Sequence, residues 1–383
     1  MADDKRPTLI LTGDDIAEIV RRIGCHEFMD LMTERMHRAF AGFDPAKTSV
    51  PVRDGFHYAK PASGLIEWMP LYQHGRTVLM KMVGYHPANP HRVDLPTVLS
   101  TMSLFDATTG SLVAIADGVL LTAIRTGAAS AVATRLLAVE DSRVLGMIGC
   151  GAQAVTQVHA ISRVLPVEMV RYFDTDSHVM ESFSERVLPL MDGGLQFIPS
   201  AVQEVVECAD VLCTATSVAV GSGPVFRNCR TQDWLHINAV GSDLAGKTEL
   251  PLKLLQQSLV CPDFPAQAQR EGECQQLSSD QIGPSLLHIA RHPEGWPDVR
   301  RRRTVFDSTG WALEDFVAME LARELADRFL IGTRMHVERA SVDPWNPYEH
   351  IDPQAVSAIP TDRGRDRNAA GDQTRRRAVP RKG

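Results

Sequence analysis

A strand, a glycine loop, a helix and a second strand follow one another within residues 144–176, and this unit constrains the fold more than any other feature. Apolar Leu145–Ile148 predicts a buried strand, and Ala152–Leu165 has the spacing of a helix with one apolar face. Met169–Phe173 predicts the next strand. The intervening Gly149-Cys-Gly-Ala-Gln-Ala154 has the pattern GxGxxA, which is typical of a dinucleotide-binding unit when it joins a strand to a helix.

Each small residue of this loop has a physical task. Gly149 permits the tight turn out of the strand, Gly151 lets the backbone approach a pyrophosphate, and Ala154 allows the helix to pack closely on the strand. The free N–H groups at the helix N-terminus would face the phosphates. Asp174, at the end of the second strand, would accept hydrogen bonds from ribose hydroxyls and repel a 2′-phosphate. The pattern predicts NAD rather than NADP, with a plain glycine turn in an α/β domain as the alternative.

Further along the chain, strands alternate with helices, which predicts an α/β fold with a parallel Rossmann sheet. The buried strands predicted there are Asp210–Ala215, Leu235–Val240, Leu259–Pro262 and Thr304–Asp307. The first part of the chain mixes predicted helices at Asp14–Phe43 and Ala123–Ala138 with strands at Gly64–Met69, Thr77–Val83, Thr97–Phe105 and Leu112–Asp117 and a loop at Tyr85–His91. A long helix is predicted at Trp311–Phe329.

The 383-residue length predicts more than one domain. We expect an α+β domain in residues 1–130, to which residues 317–355 return, and a Rossmann NAD-binding domain in residues 131–316. Residues 356–383 form a basic segment that is too polar to bury and is predicted to be disordered. A basic arm that contacts an anionic partner is the alternative for this tail.

Charge and cysteine usage exclude several classes of protein. The net charge is −7, and Thr361–Gly383 carries seven Arg, one Lys and three Asp, a charge of +5, so the rest of the chain carries −7 − 5 = −12. An acidic body argues against nucleic-acid binding. Seven cysteines without a CxxC pair predict reduced thiols, and no signal peptide or membrane-spanning stretch is recognisable, so a cytoplasmic protein is expected. No metal-ligand spacing occurs, which predicts no metal.

A second glycine-rich segment, Gly241–Thr248, fits the phosphate-loop pattern GxxxxGK[ST]. Asp243 would put a carboxylate inside a cradle for phosphate oxygens, and Glu249 and Pro251 follow where the helix should begin. An ATPase is therefore not expected. An acid on a loop at the end of a predicted strand instead suggests a ligand site, because ligands bind at that edge of an open α/β sheet.

Several stretches together resemble the ornithine cyclodeaminase and μ-crystallin family. They are Gly64–Pro70, Lys81–Pro90, Leu95–Thr97, Arg125–Ser130, Gly149–Gln157, His236–Asp243, Gly246–Leu250, Arg270–Gln276 and Phe306–Gly310. Gly84-Tyr85, before His-Pro, is similar to the lysine-acting branch of the family. The resemblance implies an ammonia-lyase that oxidises L-lysine at Cα with NAD, closes the ring with loss of ammonia, and reduces the cyclic imine to L-pipecolate with the same cofactor. It also implies a homodimer, in which residues 1–130 together with residues 317–355 form an α+β substrate-binding and dimerisation domain.

The resemblance further implies roles for individual residues. Asp243 would be the catalytic acid and base, and the substrate would be held by Arg53, Glu67, Lys81, Arg125 and Glu271, with Glu273 as the competitor of Glu271. Contacts to the cofactor are expected from Thr97, Gly149, Gly151, Ala152, Gln153, Asp174, Thr214, Asn238, Ala239, Val240, Lys247 and Ser308.

Three alternatives remain open on the same fold. Ornithine differs from lysine by one methylene, which a pocket distinguishes by only ~1–3 kcal/mol, so an ornithine cyclodeaminase forming L-proline is a near neighbour. A net amino-acid dehydrogenase or ketimine reductase is the second alternative. The third is a ligand-binding protein without turnover, and the acid–base residue Asp243 argues against it.

Overall fold

The computed structural model describes residues 7–338, 341, 343–349 and 351, so the predicted tail at 356–383 lies outside the described residues. The strands are β1 (Thr8–Leu11), β2 (Thr48–Ser49), β3 (Asp54–Tyr58), β4 (Gly64–Gln73), β5 (Thr77–Tyr85), β6 (Val98–Asp106), β7 (Leu112–Asp117), β8 (Val144–Ile148), β9 (Met169–Phe173), β10 (Gln196–Pro199), β11 (Val211–Thr214), β12 (His236–Ala239), β13 (Leu259–Pro262), β14 (Thr304–Asp307) and β15 (Thr333–Met335).

The α-helices are α1 (Gly13–Ile23), α2 (Cys25–Gly42), α3 (Asn89–Arg92), α4 (Val119–Leu137), α5 (Ala152–Ser162), α6 (Ser177–Glu181), α7 (Phe183–Val187), α8 (Val202–Cys208), α9 (Leu252–Gln256), α10 (Pro265–Ala268), α11 (Leu286–Arg291) and α12 (Ala312–Phe329). The described residues 7–337 belong to one compact unit. In the second unit, the described residues 343–349 consist of turns and a bend. Among the described residues, no helix has the length and apolar character needed to cross a membrane.

The Rossmann-type sheet contains seven strands in the order β10-β9-β8-β11-β12-β14-β13. Every pair in it is parallel. The chain moves outward from β8 to β9 and β10 and then returns to β11 on the other side, so the strand order reverses between β8 and β11. A ligand cleft is expected at this point, beyond the carboxyl ends of the strands. The predicted α/β fold with a parallel sheet is confirmed.

The second sheet is mainly antiparallel and has the order β15-β1-β7-β6-β5-β4-β2, with β3 paired to β4. Helix α12 leaves β14 of the Rossmann-type sheet and packs against β4 and β5 of this one. It also contacts α1, α2 and α4, and these helices share an apolar core with the inner face of the sheet. The domain boundaries, including the return of residues 317–355 to the first domain, stay predictions.

Two local predictions were wrong. Asp14–Phe43 is not one helix, because α1 ends at Ile23. The following Gly24 has a φ of +93°, which takes the backbone out of the helical region before α2 begins. Tyr85–His91 is not wholly irregular, because Tyr85 ends β5 and a short helix, α3, follows with Pro90 in its first turn. Proline is tolerated there because the first helical N–H groups have no partner within the helix.

Candidate active site

The glycine loop after β8 leaves the N-terminus of α5 open. Gly149 has φ +87°, and a Cβ on it would lie 2.6 Å from the carbonyl oxygen of Ala215, so a side chain would clash there. A Cβ on Gly151, by contrast, would meet nothing within 4 Å. No side chain caps the first N–H groups of α5. The loop thus combines free donors with open space, which fits the pyrophosphate of a dinucleotide.

Asp174 lies directly after β9 and holds this loop in place. Its Oδ2 accepts a hydrogen bond of 2.7 Å from the backbone N–H of Cys150, and its Oδ1 accepts one of 2.9 Å from the N–H of Asp176. The carboxylate predicted to bind ribose is therefore fixed beside the glycine turn. Its contact with a ribose stays a prediction.

A cavity of about 110 Å³ lies next to the open end of α5 and reaches the inner face of the second sheet. Eight of the residues singled out from the sequence line it: Arg53, Glu67, Lys81, Arg125, Gln153, Val240, Asp243 and Ser308. The hydroxyl oxygen of Ser308 is buried and has no hydrogen-bond partner, so it is available to a ligand. The cavity brings four of the five expected substrate residues, the expected catalytic acid and some of the expected cofactor residues to one place, and Glu271 does not line it.

Two of the cations, Lys81 and Arg125, form ion pairs with acids in the first turn of α12. Lys81 Nζ lies 2.7 Å from Asp315 Oδ1, and Arg125 Nε donates to the same oxygen over 3.0 Å. Arg125 also donates to Glu314 through NH1. Burial lowers the pKa of Lys81 to about 8, against the attraction of Asp315. Burial raises the pKa of Glu314 to about 8, although Arg125 opposes the shift.

Glu314 and Asp315 were missed by the sequence analysis. Acids in the first turn of a helix have a local explanation, since they stabilise the helix dipole. One signal in the sequence could have indicated them: two adjacent acids stand in a helix that is predicted to pack on a core. The structure buries both side chains completely. Buried acids require oppositely charged partners, and Lys81 and Arg125 were the cations already expected at the site.

Arg53 lies at another part of the cavity and binds acids as well. Its Nε is 2.6 Å from Glu271 Oε1 and 3.5 Å from Glu67 Oε2. Its terminal nitrogens donate to the backbone carbonyls of Thr309 and Asp243. Burial raises the pKa of Glu271 to about 7, while Arg53 acts to lower it and Glu67 adds to the rise. A cation and two carboxylates thus form one buried cluster at the site.

The structure separates Glu271 from its competitor. Glu273 is fully buried and accepts hydrogen bonds from the backbone N–H groups of Glu249 and Leu250, at 2.7 and 3.2 Å. Its carboxylate therefore stabilises the turn between β12 and α9. Of the two acids, only Glu271 contacts a residue that lines the cavity.

Asp243 follows β12 and forms an ion pair with Lys247, whose Nζ lies 2.8 Å from Oδ1. Burial acts to lower the pKa of Lys247, but Asp243 and Tyr85 outweigh it and the net shift is upward. The ring of Tyr85 lies over this ammonium, with 5.1 Å from Nζ to the ring centroid, and lines the cavity. From the sequence, Tyr85 is distinguished only as part of the Gly84-Tyr85 motif, without a predicted role. Lys247, expected at the cofactor, contacts the proposed catalytic acid in this structure.

Of the remaining expected cofactor residues, Thr214, Asn238 and Ala239 lie at the carboxyl ends of β11 and β12, whereas Thr97 directly precedes β6 of the second sheet. The Thr214 hydroxyl donates to Glu249, and the Asn238 amide donates to Thr134, so both side chains are engaged within the protein. Ala239 packs into the core beneath the strand ends, and the Thr97 carbonyl accepts the N–H of His86. Their contacts to a cofactor stay predictions.

The segment Gly241–Thr248 does not form a phosphate loop. No helix begins at its end, because the chain continues through Pro251 to the five-residue helix α9. Asp243 holds Lys247, which in a phosphate loop would have to be free for the nucleotide. Within the described residues, no group of three or more His, Cys, Asp or Glu side chains could hold a metal ion.

The family model described as "Ornithine cyclodeaminase/mu-crystallin family" matches residues 14–328, which covers both sheets except β1 and β15. The chain belongs to this family. A relative in it, L-lysine cyclodeaminase of Streptomyces rapamycinicus, is 43% identical over 345 residues, which cover 89% of this chain and 99% of the relative.

Solved structures of the family agree with the fold. One, titled as the structural basis for recognition of L-lysine, L-ornithine and L-2,4-diaminobutyric acid by lysine cyclodeaminase, has a TM-score of 0.85 and 46% identity, and the match covers 90% of this chain and 99% of that one. An archaeal alanine dehydrogenase dimer with bound NAD has a TM-score of 0.76 and 28% identity, covering 86% of this chain and 99% of that one. The family thus includes lyases and oxidoreductases on one architecture.

Proposed function

We propose that this protein is an NAD-dependent cyclodeaminase that converts L-lysine to L-pipecolate and ammonia. The observation that carries the proposal is one cavity, beside an open dinucleotide loop, that is lined by a pair of buried cations, Lys81 and Arg125, and by the carboxylate of Asp243. The 43% identical L-lysine cyclodeaminase supports the same activity.

Substrate binding follows from the charges. The α-carboxylate would be held by Lys81 and Arg125, with Arg53 contributing from the neighbouring cluster, because charge-assisted hydrogen bonds to such groups are strong and directional. The distal ammonium would lie near Glu67 and Glu271, the two carboxylates that flank Arg53. This arrangement separates the two ends of a diamino acid and leaves its Cα between them.

Asp243 would move protons at the α-nitrogen. It would take a proton from the α-ammonium before oxidation and later return one to the departing ammonia. Its ion pair with Lys247 holds the carboxylate in position at the cavity. Ser308, with its unpartnered buried hydroxyl, would add a hydrogen bond on the same side.

The loop from Gly149 to Gln153 would hold the cofactor. The space above Gly151 and the uncapped α5 would receive the pyrophosphate, and Asp174 would face the ribose and exclude a 2′-phosphate. When bound, NAD accepts an electron pair from Cα and returns it to the cyclic imine. Val240 and Gln153, which line the cavity, would separate the reacting carbon from solvent.

The deciding experiment uses L-lysine with a small, sub-stoichiometric amount of NAD⁺. We expect pipecolate and ammonia over many turnovers without net NADH. Product that stops at one equivalent per added cofactor would contradict the proposal. Parallel reactions with L-ornithine test the alternative of an ornithine cyclodeaminase. This alternative is specific, because a similar lysine cyclodeaminase of known structure recognises both L-lysine and L-ornithine. Steady NADH formation from L-alanine would instead support a net dehydrogenase.

The outer face of the second sheet supports the expected homodimer. Apolar side chains that point away from the core are exposed on neighbouring strands: Phe56, Ile66, Tyr72, Met82 and Leu99. A contiguous apolar face of this kind is typical of a protein interface. We propose that two copies of the chain pair through it and that the protein works in the cytoplasm.

A further inference from the structure

One half-exposed histidine touches the buried acid of the substrate site, and no role has been assigned to it. His57 lies on β3, and its Nε2 is 3.3 Å from Glu67 Oε1. The His57 side chain is 51% exposed, whereas that of Glu67 is 6% exposed. Glu67 lines the cavity and His57 does not. The imidazole therefore connects a carboxylate inside the site with solvent outside it.

Strand pairing sets this contact. Gly55 lies opposite Glu67, and His57 lies opposite Leu65, so His57 and Glu67 share the inner face of neighbouring strands as diagonal partners. Gly55 makes room for Glu67, because a Cβ there would lie 2.7 Å from the Glu67 Cγ. The local sheet geometry thus directs the histidine to the carboxylate.

The charged groups around Glu67 limit where its proton can go. Its other oxygen, Oε2, faces Arg53, a permanent cation that cannot accept a proton. Beyond Arg53 lie Glu271 and the backbone carbonyl of Asp243. The imidazole of His57 contacts Oε1 and has two ring nitrogens, so one can accept a proton while the other donates one to water.

The proposed reaction needs such a path. The distal ammonium must lose a proton before its nitrogen lone pair can form the new bond to Cα, while the π electrons of the C=N bond move to the α-nitrogen. The ring nitrogen then loses a second proton, and its lone pair forms the C=N bond of the cyclic imine while the bond from Cα to the α-nitrogen breaks. The α-nitrogen takes up a proton and leaves as ammonia. No proton is consumed over the cycle, but one must leave the distal nitrogen first and return afterwards.

We propose that His57 is a positioning and relay residue that acts through Glu67: the proton of the distal ammonium passes to the Glu67 carboxylate, on to His57 Nε2, and from Nδ1 to solvent. This inference rests on the proposed cyclodeaminase activity. It assigns the step before ring closure to a residue that does not touch the substrate.

The test compares His57→Gln with the wild-type enzyme. Glutamine retains a donor for Glu67 but cannot relay a proton. His74→Gln is the matched control, because His74 is an exposed histidine directly after the neighbouring strand β4, where it forms hydrogen bonds with Ser49 and the Ala46 carbonyl. We expect kcat for L-lysine to fall about 10-fold or more in His57→Gln, with little change in KM, and to recover when imidazole is added.

The reduction of the preformed six-membered cyclic imine by NADH separates a relay from general damage, since this half of the reaction requires no deprotonation of a distal amine. We expect His57→Gln to reduce it at the wild-type rate. Unchanged turnover of L-lysine in His57→Gln overturns the relay. So does a loss that imidazole does not restore, or an equal loss in imine reduction. A wild-type enzyme that makes no pipecolate would instead refute the proposed function.

Discussion

Lys81 and Asp315 form an ion pair of 2.7 Å although they are 234 positions apart in the chain, and both side chains are almost completely buried. The pair joins β5 of the second sheet to the first turn of α12. Arg125 of α4 shares the same Asp315 oxygen. One carboxylate therefore ties together the strand and two helices that build the wall of the cavity.

Replacing Asp315 with Asn should destabilise the protein and weaken substrate binding. The change leaves two buried cations with one carboxylate, Glu314, and breaking a buried pair costs roughly 3–5 kcal/mol. The pKa of Lys81 should fall further without its main attraction, so KM for L-lysine should rise. Urea unfolding and steady-state kinetics measure the two effects.

Glu320→Gln on the same helix is the control for this substitution. Glu320 pairs with Arg323 at the surface, and such pairs contribute about 0–1 kcal/mol. Equal losses of unfolding free energy in the two variants would show that the buried ion pairs contribute no more to stability than the surface pair does.

Asp243→Asn should reduce turnover of L-lysine by about 100-fold or more while cofactor binding remains. The amide has a similar shape but cannot take a proton from the α-ammonium. Asp233→Asn, which alters an exposed acid paired with Arg303, should leave activity unchanged. Turnover is followed by pipecolate formation, and cofactor affinity by NADH fluorescence. Full turnover in Asp243→Asn would refute the catalytic assignment.

Alanine at the two loop glycines should have two different effects. Gly149→Ala puts a Cβ 2.6 Å from a carbonyl oxygen at positive φ, so the protein should unfold at lower temperature even without cofactor. Gly151→Ala meets no protein atom and should keep the melting temperature, yet its methyl group should occupy the space for the pyrophosphate and weaken NADH binding. Thermal unfolding and NADH titration separate the two outcomes. Normal NADH affinity in Gly151→Ala would place the dinucleotide elsewhere.

Local structure around glycines was predicted from the sequence in one place and missed in another. The unit from Leu145 to Phe173 was predicted to within three residues at each boundary, because its apolar periods and its glycines act over short distances. The helix break at Gly24 was missed, because an isolated glycine is also tolerated within a helix.

The site itself was less accessible from the sequence. Lys81 and Arg125 were predicted to bind substrate only from the family resemblance, since the sequence alone does not show what a cationic side chain contacts. Their partners Glu314 and Asp315 come from a helix far along the chain, and tertiary packing alone brings them together. The contact of His57 with Glu67 likewise depends on strand register, which the sequence left undetermined.

Ile66→Glu should separate the proposed dimer without unfolding the protomer. Ile66 is on the outer face of β4 and is 41% exposed in the single chain, so a charge there is tolerated unless a second copy covers it. Light scattering after size exclusion should show a dimer for the wild type and a monomer for the variant. Val220→Glu, at an exposed apolar residue outside this sheet, is the control. A variant with the wild-type mass would argue against this face as the interface.

The activity should have a bell-shaped pH dependence with its maximum between about pH 7 and pH 8. Glu271, with a pKa raised by burial to about 7, can hold the distal ammonium only as a carboxylate, so kcat/KM should fall as the pH drops below that value. Lys81, with a pKa lowered by burial to about 8, can hold the substrate carboxylate only as an ammonium, so kcat/KM should fall as the pH rises above it.

Glu271→Gln tests the acid limb of this profile. Without the titrating carboxyl, kcat/KM should be lower at its maximum but should no longer fall between about pH 7 and pH 6. Glu204→Gln, which alters a half-exposed acid paired with Arg171, should retain the wild-type profile. An unchanged acid limb in Glu271→Gln would assign that limb to another group, and Glu67→Gln would then be the next variant to measure, because Glu67 shares Arg53 with Glu271 and lines the same cavity.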